Sequence, residues 1–151
     1  MKKILLLVLF VINVYATEHK VVFDLVSANT STINKKIFNN IKILNEAFKK
    51  QGDTLKVAVV ISGKSYKYFL KDIKNSPYKF EKKLYLTQYG FQSNIKNLSE
   101  NYGVVFEVCS KGMAARKIPL SSLYEEVKPA FNKHFALIKW QNKGYAYILV
   151  D

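Results

Sequence analysis

The sequence predicts an α/β fold with a mainly parallel five-stranded sheet that helices cover on both faces. Short apolar runs of five to eight residues recur along the chain, as expected for strands that are buried in a sheet. Stretches with apolar residues three or four positions apart lie between these runs and indicate amphipathic helices. Strands that alternate with helices in this way are typical of parallel sheets with right-handed crossovers.

The N-terminal half contains two predicted strand–helix units. The first strand, residues 19–26, precedes a helix that Thr30, Ser31 or Thr32 can cap. The apolar positions of this helix share one face: Ile33, Ile37, Ile41, Leu44 and Phe48. The second strand, residues 55–61, is a nearly continuous apolar run, which predicts burial on both faces of the sheet. A short amphipathic helix is predicted after it, with four apolar residues at helical spacing: Tyr66, Phe69, Leu70 and Ile73.

The C-terminal half begins with an aromatic and lysine-rich segment, residues 78–91, whose pattern predicts no element. A helical pattern with Ile95 and Leu98 then runs to Gly103, a candidate C-terminal cap. The remaining predicted elements are a strand at 104–109, a helical turn at 113–117, a short helix at 119–126, a strand at 127–131, a helix around 135–140 and a strand at 145–150. Leu120, Leu123 and Tyr124 are expected to face the core.

The first 16 residues are typical of a secretory signal peptide. Lys2 and Lys3 precede an apolar run at 4–12, and Val14-Tyr15-Ala16 presents small residues to signal peptidase, so we expect cleavage after Ala16. The apolar run is shorter than the roughly 20 residues of a transmembrane helix. An uncleaved anchor or a buried strand is the alternative. We therefore expect a single exported domain, residues 17–151, in a bacterial periplasm or outside the cell.

The chain is strongly basic. It has 24 Lys and Arg against 11 Asp and Glu, a net charge of +13, which loss of Lys2 and Lys3 lowers by two to +11. Arg116 is its only arginine, and the lysines are spread along the chain, so the arginine-rich clusters of nucleic-acid binding sites are missing. A solvated lysine surface that contacts anionic lipids or acidic partners fits this pattern better.

Few residues offer catalytic chemistry. The chain has two histidines, His19 and His134, and one cysteine, Cys109, so we expect no metal site and no cofactor. Asp24 and Glu107 lie within predicted strands, where either acid is a candidate for burial. With one cysteine the chain cannot form an internal disulfide. Cys109 is therefore a packed side chain, a reactive thiol or a link to another chain.

Cys109 is the best candidate for a functional residue. It ends the third strand, at the edge where parallel sheets bind their ligands. The backbone N–H groups of Ser110 and Gly112, with Lys111 or Arg116 nearby, would favour a thiolate. The candidate binding residues in the loops after the first three strands are Asn29, Ser62, Gly63, Ser110, Lys111 and Gly112, with Arg116 just beyond.

Several ordered segments carry a resemblance that covers nearly the whole mature chain. The segments are 22–27, 39–41, 57–63, 103–109, 113–118 and 140–148. In this order they resemble the DsrE/DsrF-like family, in particular its small single-domain members. Two positions depart from the family pattern. Ser62 stands where a histidine is frequent, and Lys111-Gly112 stand where Asn-Thr is common.

The resemblance implies a three-layer, flavodoxin-like sandwich that assembles into homotrimers or homohexamers. It also implies, for some members, a cysteine that accepts sulfur as a persulfide from a donor and passes it to an acceptor protein. In this sequence that role would fall on Cys109.

Two functions remain open at this stage, an exported sulfur carrier and an oligomeric binding or structural module with a packed, unreactive Cys109. In the second case an aromatic set would supply the subunit interface: Tyr78, Phe80, Tyr85, Tyr89 and Phe91. An intermolecular disulfide through Cys109 is a third, minor alternative.

Overall fold

Five parallel strands form the centre of the computed structural model, which describes residues 16–151. The strands are β1 (Glu18–Leu25), β2 (Thr54–Ile61), β3 (Val105–Cys109), β4 (Val127–Ala130) and β5 (Ala146–Val150). They lie in the order β4-β3-β2-β1-β5, and every neighbouring pair is parallel. The predicted fold class is confirmed. Each strand boundary agrees with the sequence pattern within one residue, because apolar runs buried on both faces end sharply at polar loops.

The strands are joined by helices and short helical turns. The helices are α1 (Thr30–Ile33), a π-helical segment (Asn34–Asn39), α2 (Asn40–Lys50), α3 (Lys82–Tyr102), α4 (Ser110–Ala115) and α5 (Lys133–Asn142), with 3₁₀ turns at Tyr66–Phe69 and Leu120–Ser122. The predicted first helix is thus one helix with a π-helical middle. The wider π turn lets two adjacent residues, Ile37 and Phe38, both bury fully against the sheet.

Residues 78–91, which the pattern did not assign, contain the start of α3. This helix begins at Lys82 and buries Leu84 and Phe91. It ends at Gly103, whose φ of 63° is the left-handed conformation that suits glycine at a helix C-terminus. The sequence pattern was obscured because exposed aromatic and aliphatic side chains interrupt the buried stripe.

The predicted short helix at 119–126 was wrong. Only Leu120–Ser122 is helical, as a 3₁₀ turn, and Leu120 is exposed rather than facing the core. Leu123 is extended and forms an antiparallel bridge with Leu70, which withdraws it from any helix. Leu123 and Tyr124 are buried, as expected.

The two faces of the sheet are covered unequally. On the first face, α1 to α4 pack on alternate strand residues such as Phe23, Val59 and Phe106 to form the main core. On the second face a smaller cluster joins Val22, Ala58, Val60 and Ala130 to three residues of α5, Ala136, Leu137 and Trp140. Among residues 16–151, α5 is the helix that belongs to this second cluster.

Two buried carboxylates on the second face bind α5. Asp24 and Glu107 lie in one row across the sheet, because each pairs in register with Val60 of the intervening β2. Glu107 accepts hydrogen bonds from the Lys139 ammonium and from Trp140 Nε1, the latter at 2.8 Å. Asp24 Oδ2 lies 2.8 Å from Lys133 Nζ. The buried acids expected from the sequence therefore serve to attach α5.

Part of the second face and of α5 remains uncovered. Phe135 and Ile138 of α5 are more than half exposed, and Tyr147 and Leu149 of the edge strand β5 are each 45% exposed. An uncovered apolar edge strand of this kind is a surface that proteins usually cover with another chain or element.

The predicted signal peptide, residues 1–16, lies outside the described residues except for Ala16. Within residues 16–151, none of the helices is both long and apolar enough to cross a lipid bilayer.

Candidate active site at the end of β3

Cys109 lies beside the point where the chain changes from one face of the sheet to the other. After β3 the chain enters α4, whose Met113 packs in the first-face core, whereas after β4 it enters α5 on the second face. Adjacent strands whose connections leave in opposite directions open a crevice at their carboxyl ends, where α/β proteins bind ligands. Cys109 is the last residue of β3 and pairs in register with Ala130, the last residue of β4. The sheet topology therefore places the thiol at a preferred ligand site.

The sulfur of Cys109 is close to a backbone donor. Its Sγ accepts a hydrogen bond from the N–H of Gly112 at 3.3 Å, so the cysteine acts as the N-cap of the short helix α4. An N–H group in this position can also hydrogen-bond a sulfur that carries negative charge. The residue is 8% exposed, which leaves a small part of its surface open to solvent.

Tyr66 forms the wall behind the cysteine. Its ring is 2% exposed, and its hydroxyl donates a long hydrogen bond of 3.4 Å to the Cys109 carbonyl oxygen. Burial, and then the neighbouring Cys109, raise the pKa of Tyr66 well above its usual value, so the hydroxyl stays protonated and available as a donor.

The position of Tyr66 requires a glycine at residue 112. A Cβ atom at Gly112 would lie 1.9 Å from the Tyr66 hydroxyl oxygen and 3.3 Å from Cys109 Sγ. No side chain fits there without displacing Tyr66. The absence of a side chain thus lets the phenol and the thiol approach the same stretch of backbone.

Arg116 holds the outer side of the Tyr66 ring. Its guanidinium carbon lies 5.1 Å from the ring centroid, within cation–π range, and its Nη1 donates to the Gly112 carbonyl oxygen at 3.1 Å. Arg116 also lines an open depression of about 420 Å³ with Gly63, Lys64 and other residues of the neighbouring loops. Its positive charge therefore lies between Tyr66 and solvent.

The structure brings together some of the predicted site residues and separates others. Gly112 and Arg116 contact the Cys109–Tyr66 pair, and Gly63 shares the depression with Arg116. Lys111 instead contacts Phe131, the residue after β4: its Nζ lies 4.4 Å from the centroid of the Phe131 ring, and its N–H donates to the Phe131 carbonyl oxygen. Ser110 is the partly exposed first residue of α4.

Asn29 and Ser62 have structural roles in their loops. Asn29 Oδ1 accepts from the N–H groups of Ser31 and Thr32, so this side chain caps α1. Ser62 is 5% exposed, and its carbonyl oxygen accepts from the Ser65 hydroxyl at 2.6 Å. Both residues lie at the carboxyl edge, as predicted, but their hydrogen bonds stabilise the loops.

The two histidines lie away from the thiol. His19 Nε2 contacts Asp53 Oδ2 at 2.9 Å and its ring stacks on Phe48, at the start of β1. This hydrogen bond, with one from the Thr17 N–H, lowers the pKa of Asp53. His134 is exposed on α5. Within the described part of the chain, no group of three or more His, Cys, Asp or Glu side chains is arranged to hold a metal ion.

Tyr66 is the site residue that the sequence reasoning missed. The helical spacing of Tyr66, Phe69 and Ile73 predicts core packing, and the Tyr66 side chain is indeed buried. The predicted helix is shorter than expected, because only Tyr66–Phe69 is helical and Leu70 is already extended. The available signal was the hydroxyl, because a buried tyrosine needs a hydrogen-bond partner. The sequence does not say which loop supplies that partner.

A family profile and two solved structures match most of the chain. The profile of the DsrE/DsrF-like family matches residues 8–150. No curated protein sequence matches the chain. A protein of unknown function, MTH1491 from Methanobacterium thermoautotrophicum, is similar in structure, with a TM-score of 0.66, 19% identity and coverage of 87% of this chain and 98% of that one. The ychN protein from E. coli has a TM-score of 0.51 at 14% identity, covering 87% and 97%. At these identities the two structures support the fold alone.

The close approach of Gly112 to Tyr66 predicts that a substitution at Tyr66 restores part of the stability lost by a substitution at Gly112. Gly112→Ala should lower the free energy of unfolding by about 1–3 kcal/mol, because the new methyl group overlaps the Tyr66 hydroxyl. Removal of that hydroxyl in Gly112→Ala/Tyr66→Phe should recover part of the loss, with Tyr66→Phe alone as the reference. Urea unfolding monitored by circular dichroism measures all four proteins. Additive losses in the double variant would contradict the contact.

Proposed function

Because the chain belongs to the DsrE/DsrF-like family, which is linked to sulfur relay, we propose that it carries sulfur as a persulfide on Cys109. The observation that carries the proposal is the position of the thiol, at the topological switch point with the Gly112 N–H directed at sulfur.

The proposed reaction is a sulfur transfer between thiolates. The Cys109 thiolate attacks the outer sulfur of a sulfane donor such as thiosulfate. A new S–S bond forms on Cys109, the donor S–S bond breaks, and sulfite leaves with the bonding electron pair. An acceptor thiolate then attacks the outer sulfur of the persulfide, takes it, and releases the Cys109 thiolate. No oxidant or reductant is consumed.

The neighbouring groups have distinct roles in this proposal. The Gly112 N–H stabilises negative charge on sulfur, at 3.3 Å. The protonated Tyr66 hydroxyl donates to the Cys109 carbonyl oxygen and so holds the backbone that carries the thiol. Arg116, held over Tyr66, provides the positive charge that favours anionic sulfur donors near this edge. The Lys111 ammonium packs on the Phe131 ring, so we expect it to attract the approaching anionic donor without contacting the sulfur of Cys109.

Sulfur loading is tested by intact-mass spectrometry. After incubation with thiosulfate or polysulfide, the native protein should gain the mass of one sulfur atom, which cyanide or dithiothreitol removes. Cys109→Ser should gain none. No addition to the native protein, or equal addition to both proteins, would refute a persulfide on Cys109.

The alternative is an oligomeric binding or structural module in which Cys109 is packed. Its 8% exposure and its place in the main hydrophobic cluster favour this second function. Thiol titration distinguishes the two. A sulfur carrier should react with a small disulfide reagent under native conditions, whereas a packed cysteine reacts only after denaturation. Under the first proposal, Tyr66→Phe should change the native reaction rate and leave the rate in denaturant unchanged.

We further propose that the protein is exported and cleaved after Ala16. Cleavage there would leave β1 intact, because the strand begins at Glu18. It would also turn the Thr17 N–H, which donates to Asp53 Oδ1 at 2.8 Å, into a positively charged α-ammonium beside a carboxylate. A charged donor strengthens such a contact.

Export predicts a mature protein that begins at Thr17. N-terminal sequencing of the protein recovered from the periplasmic or culture fraction measures this, with Ala16→Arg as a variant that signal peptidase should not process. A native protein that retains Met1–Ala16 in the cytoplasmic fraction would contradict the proposal.

We also propose that copies of this chain associate through the uncovered second face, as trimers or hexamers. Phe135 and Ile138 of α5 and the edge strand β5 form its exposed apolar part. The lysines of α5 do not oppose this contact, because Lys133 and Lys139 are already paired with Asp24 and Glu107.

Self-association predicts a mass of three or six chains for the native protein by light scattering. Ile138→Lys should reduce this mass, because it buries a charge in the contact. Ile43→Lys is the matched control, since Ile43 is similarly exposed, at 64%, but lies on α2 over the first face. A monomeric native protein, or equal effects of the two substitutions, would contradict the proposed interface.

A further inference from the structure

A ridge of apolar side chains protrudes from the first turns of α3 and from the turn that precedes it. Phe80, Leu86 and Tyr89 are 85%, 84% and 83% exposed, which is nearly as open as in an extended chain. Leu86 and Tyr89 lie three residues apart and therefore on one side of the helix, with Lys82 four residues before Leu86. We call these three side chains, together with Lys79, Lys82 and Lys83, the α3 ridge.

The ridge carries uncompensated positive charge. Lys79, Lys82 and Lys83 are exposed, and within residues 16–151 none of them forms a salt bridge. The nearest acid in sequence, Glu81, is bound to Lys67 at 2.6 Å. Lys79 Nζ lies 5.1 Å from the centroid of the Phe80 ring, so charge and apolar surface are adjacent.

The shape and charge of the ridge disfavour a protein partner. Phe80, Leu86 and Tyr89 are more than four-fifths exposed and so have almost no protein beside them. A depression of about 260 Å³ adjoins the ridge at Lys83, but these three apolar side chains do not line it, so they offer no groove for a partner's side chain. A second copy bound about a two-fold axis would bring the lysines of one ridge against those of the other, and like charges across an interface are repulsive.

We propose that the α3 ridge docks the protein on the surface of an anionic lipid membrane. Protruding Phe, Leu and Tyr side chains would enter the boundary between headgroups and acyl chains, which surrounds them on all sides. Lys79, Lys82 and Lys83 would contact the anionic headgroups. The net charge of the whole chain, +13, has the sign that such a surface attracts.

Docking through the ridge would orient the candidate active site. Glu81 is linked to Lys67, and Lys67 lines the depression that also contains Gly63 and Arg116 at the carboxyl edge of the sheet. The ridge thus lies at the edge that holds Cys109. A docked protein would present this edge near the membrane, whether or not Cys109 carries sulfur.

Vesicle co-sedimentation tests the proposal with the full chain. Native protein should bind vesicles of mixed phosphatidylglycerol and phosphatidylcholine. Its affinity for vesicles of phosphatidylcholine alone should be lower by a factor of at least about ten. Binding should weaken when salt is raised from about 0.05 M to about 0.5 M. Phe80→Ser/Leu86→Ser/Tyr89→Ser should weaken binding about tenfold or more, with an unchanged circular dichroism spectrum.

A charge-matched pair of variants separates the ridge from the general basic charge. Lys79→Gln/Lys82→Gln/Lys83→Gln should lose binding. Lys49→Gln/Lys50→Gln/Lys56→Gln removes the same charge at the opposite, amino edge of the sheet and should bind nearly as well as the native protein. Equal losses would overturn docking by the ridge.

An inserted fluorophore reports which surface meets the lipid, even if residues 1–16 also bind. In Phe80→Trp, vesicle addition should shift the tryptophan emission to the blue and reduce quenching by iodide. Lys50→Trp, at the end of α2 on the amino edge of the sheet, should show neither change; Trp140 is common to both proteins. Equal responses at the two positions, or none at Phe80→Trp, would overturn the proposal. A changed oligomeric mass in the triple Ser variant with unchanged vesicle binding would instead identify a protein interface.

Discussion

Helix α5 lies on the second face of the sheet because two buried carboxylates bind it there. Glu107 accepts from Lys139 and Trp140, and Asp24 accepts from Lys133, so the helix could not move without leaving buried charges unpaired. The crossover from β4 must therefore leave toward this face, whereas the one from β3 leaves toward the other. Strands that diverge in this way favour a ligand site at their carboxyl ends, which is where Cys109 lies, so the attachment of one helix bears on where the candidate active site lies.

The attachment of α5 also determines which apolar surfaces remain exposed. The charges beside these surfaces differ, and so do the partners that we propose for them. On α5 the lysines are neutralised within the chain, which leaves an apolar second face that suits another copy of the protein. At the start of α3, Lys82 and Lys83 form no salt bridge within residues 16–151 and lie beside protruding apolar side chains, which suits an anionic membrane. The two surfaces belong to helices on opposite faces of the sheet, so the two contacts do not exclude each other.

The strands were predictable because their burial is nearly independent of context. Runs such as 55–61 are apolar on both sides of the strand, so their side chains are buried only in a sheet that is covered on both faces. The start of α3 was not predictable from its pattern, because Leu86 and Tyr89 are exposed and disguise the buried positions Leu84 and Phe91. The predicted helix around Leu120 was wrong for a related reason. Leu123 pairs with Leu70, which is distant in sequence, and this bridge replaces the local helix.

The sequence by itself determined the α/β class, the family and the position of Cys109 at the end of a strand, because these depend on local hydrophobic pattern and on motifs in order. Only the tertiary structure decided what surrounds the sulfur. Tyr66 precedes Cys109 by 43 residues, and Gly112 matters because it leaves room for the Tyr66 hydroxyl. The tertiary structure likewise assigned Asp24 and Glu107 to the attachment of α5. Such contacts join residues far apart in the chain, and no periodicity within one segment encodes them.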